Sequence, residues 1–305
     1  MSGSQQTLGF RGAIDVGRSR QPPRRVLFQG SDTTWAIAFL VPYLAVFAAF
    51  VVYPIAFGLW MGSDPALYDR LFSDPLYLTI VVNTLLFAGI GVNVPMFLAF
   101  LLSGFFMQRN WWIRSLLAIY LLPWVLPALT AFLSIHYMTV TEYGFLDSLW
   151  RAVTGEDGPL FLVDRWLATA TNLVSYIWKW MPFWTLIFIA GRMAIPQDIY
   201  EAAEIDGAIG LRRLVHVTFP LLANVYLVST LLFTIWTIGD FNTVYFVSFG
   251  APARLTDVLA TYGFHMAYDF GYPKLGNAAM MSALPVLIPM VLLLMRRIRT
   301  TGIQL

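Results

Sequence analysis

The sequence predicts an all-α membrane protein with six transmembrane helices, and three observations carry that prediction. Of 305 residues, 58% are hydrophobic and 12% are charged, about half the charged share of an average soluble domain. Mean hydropathy is +0.68. Six apolar runs are each long enough for a bilayer core about 30 Å thick, which needs roughly 20 helical residues at about 1.5 Å rise.

The first run, 35–61, carries no charge. At about 27 residues it exceeds the apolar core of a signal peptide (about 7–15 residues), so it is expected to remain as an anchor. The second covers 76–107 and contains Asn83 and Asn93, which are expected to hydrogen-bond between helices. The third, 112–138, holds Arg114 near its start, and the fourth, 166–190, holds Lys179. The fifth runs over 220–249, interrupted by Asp240 and Asn242, and the sixth over 276–295. Prolines inside these runs are tolerated in membrane helices because neighbours re-satisfy the freed carbonyls. Trp111, Trp112, Trp150 and Trp166 flank the runs as interfacial belts do. The expected organisation is a polar tail over 1–34, a six-span domain over 35–295 and a short tail over 296–305.

Charge placement gives a direction. Arg11, Arg18, Arg20, Arg24 and Arg25 precede the first run, Arg109 and Arg114 follow the second, and Arg192, Arg212 and Arg213 follow the fourth. Arg296, Arg297 and Arg299 follow the last, which puts thirteen basic residues on one side. The other side holds five: Arg70, Arg151, Arg165, Arg254 and Lys274. The positive-inside rule then places both termini in the cytoplasm. Several chemistries are excluded. With no Cys there is no disulfide framework or thiolate metal site, and His136, His216 and His265 are scattered singly. No P-loop, Gly–x–Ser–x–Gly elbow or HExxH pair occurs, so no enzyme constellation is legible and no cofactor is expected.

The loop over 196–220, PQDIYEAAEIDGAIGLRRLVHVTFP, reads as a helix, a break and a second helix. Pro196 and Asp198 suit a helix start, and Ile199, Ala202, Ala203 and Ile205 give a short face of small and apolar residues. Gly207 follows Asp206 where a left-handed cap fits. Leu211, Leu214, Val215 and Thr218 recur at helical spacing before Pro220, which is expected to stop the turn. Such a pair either docks on a partner or lies at the bilayer surface as an amphipathic connector.

Glu201–Ala202–Ala203, then Gly207, then Val217, Phe219 and Pro220 resemble the EAA loop of ABC importer permeases. Val217 and Phe219 stand where the family usually has Ile and Leu. The form EAAEIDGA is similar to that of the carbohydrate-uptake branch, the maltose- and glycerol-3-phosphate-type permeases. WKWMPFWTLIFIAGRMAIP (178–196), FNTVYFVSFGAP (241–252, with Phe249 and Ala251 in place of glycines) and DFGYPKLGNAAMMSALP (269–285) resemble other stretches of that branch. The resemblance implies a type I ABC importer permease fold with a cytoplasmic coupling helix, and Glu201, Ala202, Ala203, Asp206, Gly207 and Pro220 as ATPase-coupling residues. It implies a second permease subunit of similar fold, two ATP-binding subunits that hold the ATP, and an extracytoplasmic solute-binding protein. Membrane lipid is the remaining partner, and nucleic acid is not one. The implied function is sugar import across a bacterial inner membrane. Glycerol-3-phosphate or another polyol derivative is an alternative cargo, and an ion-coupled carrier an alternative mechanism.

Candidate pathway residues follow from polarity inside the spans. An ammonium at the bilayer centre costs about 2.5–3.5 kcal/mol on insertion scales, so Lys179 must face a wet cavity, a solute or a carbonyl partner. Trp180 and Phe183 offer aromatic faces suited to the C–H face of a sugar ring, or pack between helices. Thr237, Asp240 and Asn242 offer the paired donors and acceptors that sugar hydroxyls need, or mark a helix end. Tyr245 reads as a pathway residue or an interfacial anchor.

Overall fold

The computed structural model describes residues 32–108 and 110–300, with side chains over 34–108 and 110–297. The tail expected over 1–34, with its five arginines, lies almost wholly outside the described residues, as do Arg109, the Arg299 side chain and the C-terminal residues from 301 on. Among the described residues the regular elements are all helices. The chain divides after Pro54 into two units. The first is a single apolar helix, α-helical over Asp32–Phe47 with a π-helical turn at Ala48–Val52. That turn sits just ahead of Pro54, whose missing N–H would otherwise leave a gap in the hydrogen-bond ladder.

The second unit holds the rest. With α1 as Thr34–Met61, α2 (Pro65–Ser73) starts at Asp64, whose carboxylate accepts the Ala66 N–H at 3.0 Å. Then come α3 (Tyr77–Phe106), α4 (Trp111–Val125), α5 (Ala128–Thr139), α6 (Phe145–Thr154) and α7 (Arg165–Met193). The loop helix α8 (Gln197–Ile205) leads to α9 (Gly210–Ile238). Short helices α10 (Asn242–Val247) and α11 (Leu259–Phe264) precede α12 (Pro273–Met281) and α13 (Leu284–Thr300). Among the described residues five helices are long and apolar enough to cross a membrane, and six if the bent pair α4–α5 counts as one.

The core lies where α3, α7 and α9 meet. Phe87, Val92, Met96 and Phe100 of α3 pack with Leu173, Tyr176, Trp184 and Phe188 of α7 and with Leu222 and Phe233 of α9. Between membrane helices this contact is driven by close packing, because lipid tails are as apolar as the side chains. Gly91 permits it: a Cβ there would stand 3.3 Å from the Tyr176 ring. A second cluster joins Leu67 and Leu71 of α2, Ile80 of α3, Tyr262 of α11 and Ala278 of α12.

Several boundaries differ from expectation, each for a local reason. The third span is broken, turning by 94° between α4 and α5, where Pro127 interrupts the ladder. The fifth span begins ten residues early, at Gly210, and ends at Ile238. Pro220 therefore does not stop a helix; a π-helical turn at Leu214–Thr218 routes the Phe219 N–H to the Leu214 carbonyl and absorbs the missing donor. The sixth span is assembled from α12 and α13 across a turn at Ser282–Ala283. Asn83 does bridge segments, donating to the Leu255 carbonyl at 2.7 Å. Asn93 instead donates within its own helix, to Gly89 at 2.7 Å.

Candidate functional site

Two regions hold the residues singled out in the sequence, the loop around α8 and a cavity beside the break in the third span. In the loop, Pro196 caps α8 and Asp198 lies in its first turn. The C-terminus closes with a paired motif: the Ala208 N–H reaches the Ala203 carbonyl at 2.8 Å, and the Gly207 N–H reaches Glu204 at 3.0 Å. This Schellman arrangement requires a left-handed residue after the cap, and Gly207 supplies it with φ of +74°. Ile199, Ala202 and Ala203 fall on one side of α8 by their spacing, but the four small and apolar residues are not buried together. Ala203 is buried, while Glu201, Ala202, Asp206 and Gly207 are exposed and Ile205 is 87% exposed. The loop thus offers a small, apolar and acidic surface, anchored by one alanine and ended by a fixed reversal.

Beneath the loop, α7 is tied to α3 by a buried arginine. Arg192 donates from Nε to Ser103 Oγ at 2.7 Å and from Nη2 to the Phe100 carbonyl at 3.0 Å, with its guanidinium 4.9 Å from the Phe100 ring centre.

The cavity holds about 400 Å³ and is lined by Trp124, Val125, Leu126, Ala128, Lys179 and Trp180. Lys179 is 2% exposed. Its ammonium donates to the carbonyls of Pro123 at 2.7 Å, Trp124 at 3.3 Å and Leu126. Phe183 borders this place, its ring 5.5 Å from Trp124 and 5.9 Å from Trp236. Trp236 also stands 6.4 Å from Trp180, so α4, α7 and α9 together present a run of aromatic faces.

The stretch 91–300 matches the family model described as a binding-protein-dependent transport system inner membrane component. The chain belongs to that family. Over 248 residues it is 31% identical to the sulfoquinovosyl glycerol transport system permease protein SmoG of Agrobacterium fabrum, covering 76% of this chain and 79% of that one. It is 28% identical over 257 residues to the trehalose/maltose transport system permease protein MalF of Thermococcus litoralis, covering 78% and 85%. A crystal structure of a bacterial alginate ABC transporter superposes with a TM-score of 0.75 at 20% identity, covering 89% of this chain and 97% of that one. The fold is the type I ABC importer permease fold, and the protein is a multi-pass inner-membrane permease from a family of transport subunits, not of enzymes.

In this permease, Lys179 and Trp180 line the cavity and Phe183 borders it, but the polar groups at and beyond the end of the fifth span are not among its lining residues. Thr237 is buried with its hydroxyl 2.7 Å from Tyr176 Oη. Asp240 lies beyond the helix end rather than inside a span and accepts the Thr243 N–H at 3.0 Å, capping α10. Asn242 is exposed in the first turn of α10. Tyr245 is a packing residue here, 4.5 Å from Phe241 and 5.3 Å from Phe264 between ring centres. Pro220 sits two residues past the π turn, in the first turn of the helix that continues from it. Sequence reasoning missed Trp124, Trp236 and Arg192. Trp236 had a signal, since it stands one residue before Thr237; Arg192 was counted only as a cytoplasmic charge.

Proposed function

We propose that this permease carries a saccharide across the inner membrane, driven by ATP hydrolysis in separate subunits that grip α8. The observation that carries the reading is the exposed, rigidly ended coupling surface of Glu201, Ala202, Ile205 and Asp206, on a chain with no P-loop of its own. The docked partner holds the ATP. A second permease subunit of similar fold completes the pathway, and an extracytoplasmic binding protein delivers the solute. The names of the relatives support a sugar cargo, and the alginate transporter structure includes a pentasaccharide-bound periplasmic protein. Both termini are placed in the cytoplasm, with tails over 1–34 and 296–305 and the permease domain over 35–295; the basic-residue asymmetry supports this.

The alternatives lose their chemical footing. A phosphorylated polyol would want a free cation in the cavity, yet all three donors of Lys179 are engaged by carbonyls. An ion-coupled carrier would want a free buried acid, yet Asp240 caps α10. The test is reconstitution of the full complex in proteoliposomes, with the binding protein screened by thermal shift across a carbohydrate panel. The stabilising sugar, on its binding protein, is expected to stimulate ATP hydrolysis and to accumulate inside. Accumulation driven by an ion gradient without ATP would refute the reading.

A further inference from the structure

We infer that Lys179 is a positioning residue: its ammonium replaces the hydrogen-bond donor that Pro127 lacks and holds the third span in its bend. The inference rests on reading the adjoining cavity as part of the solute path.

In an uninterrupted helix the carbonyl of residue i receives the N–H of residue i+4. The donor owed to Pro123 would come from residue 127, which is a proline with no N–H. The last helical bond before the bend runs from Leu126 N–H to Leu122, and the first after it from Ala131 N–H to Pro127. Between them lie the carbonyls of Pro123, Trp124, Val125 and Leu126. Inside a bilayer no water is at hand for such groups, so a break is tolerated only where something else satisfies them. Lys179 satisfies three of the four, and an ammonium has three hydrogens to give. The electrostatics agree, because these carbonyls are the negative end of the α4 dipole and a cation is stabilised there.

Two roles are open to a buried lysine in a transporter, and the hydrogen bonds separate them. A group that recognises solute keeps a donor free toward the cavity. Lys179 keeps none, and it is 2% exposed. What it controls is the wall. Trp124 and Leu126 before the bend and Ala128 after it line the 400 Å³ cavity opposite Trp180, whose ring centre is 5.8 Å from the ammonium. Releasing the three carbonyls frees the bend, and the aromatic wall moves with it.

The absence of cysteine from the chain allows a direct test in the assembled transporter with cysteine-free partners. Spin labels at Ile119→Cys and Tyr137→Cys, 63% and 61% exposed on either side of the bend, report its opening by pulsed electron spin resonance. Lys179→Met is expected to broaden the distance distribution and shift it to longer distances, while Lys179→Arg, which keeps charged donors, stays near the parent. Should Lys179→Met fail to assemble, Lys179→Leu, which likewise offers no donor, takes its place, and the same broadening and lengthening are expected of it. In an unlabelled chain, Lys179→Cys is expected to lose uptake and to regain it when aminoethylation restores an ammonium. An unchanged distance distribution in the neutral variant, with uptake lost, would overturn the inference and return Lys179 to solute contact. The distance readout needs no solute, so a failure of the sugar assignment leaves it intact.

Discussion

Replacing Gly207 with alanine and with proline separates the two things this glycine does. The residue sits at φ of +74° with open space around its missing Cβ, so alanine meets no clash and loses only conformational ease. That cost is about 1 kcal/mol, roughly a fivefold change in the population of the closed turn. Proline cannot reach this φ at all, and it also removes the N–H that bonds Glu204 at 3.0 Å. The loss is about 3 kcal/mol or more, enough to unmake the reversal that ends α8. In reconstituted complexes the ratio of solute imported to ATP hydrolysed is therefore expected to fall modestly in Gly207→Ala and to collapse in Gly207→Pro, with subunit assembly checked by affinity capture. Equal and normal ratios in both variants would refute the reasoning, because the turn would then be dispensable for coupling.

Other perturbations test the remaining parts. Arg192→Leu removes the donor to Ser103 Oγ and one of the two side-chain donors to the Phe100 carbonyl, which keeps the Ser103 hydroxyl at 2.6 Å, a loss of about 1 kcal/mol; a lower melting temperature in detergent and weaker coupling are expected, and unchanged melting would contradict the tie between α3 and α7. Trp180→Ala is expected to raise the solute concentration needed for half-maximal uptake by roughly three- to tenfold, the worth of one or two aromatic contacts. Asn242→Ala, exposed and away from the cavity, is expected to leave uptake unchanged. The reverse ranking in a radiolabelled uptake assay would move the pathway to the end of the fifth span.

The spans were legible because membrane insertion sums over about 20 residues, and no single misplaced side chain can hide such a run. The α8 reversal was legible for the opposite reason: a left-handed cap is a local demand, and Asp206–Gly207 states it in two residues. The bend in the third span was only half visible. Pro123 and Pro127 announce a weakness, but the 94° turn depends on donors from Lys179, which lies more than fifty positions further on. Polar residues are ambiguous in the same way. Thr237 and Asp240 read equally as solute contacts or as a helix end, and only the structure shows their bonds to Tyr176 and to the Thr243 amide. Pro220 misled because a π-helical turn, which has no sequence signature, carries the helix through it.

The claim on which the account depends is that α8 is gripped by a separate ATPase, and Ile205 is the side chain best placed to report it, being 87% exposed on that helix. In a chain free of other cysteines, Ile205→Cys in the assembled transporter is expected to cross-link to the ATP-binding subunit through a short bifunctional reagent. Phe145→Cys, at the start of α6 and 59% exposed, serves as the comparison and is expected to give no such product. A cross-link from position 145 with none from 205 would contradict the account.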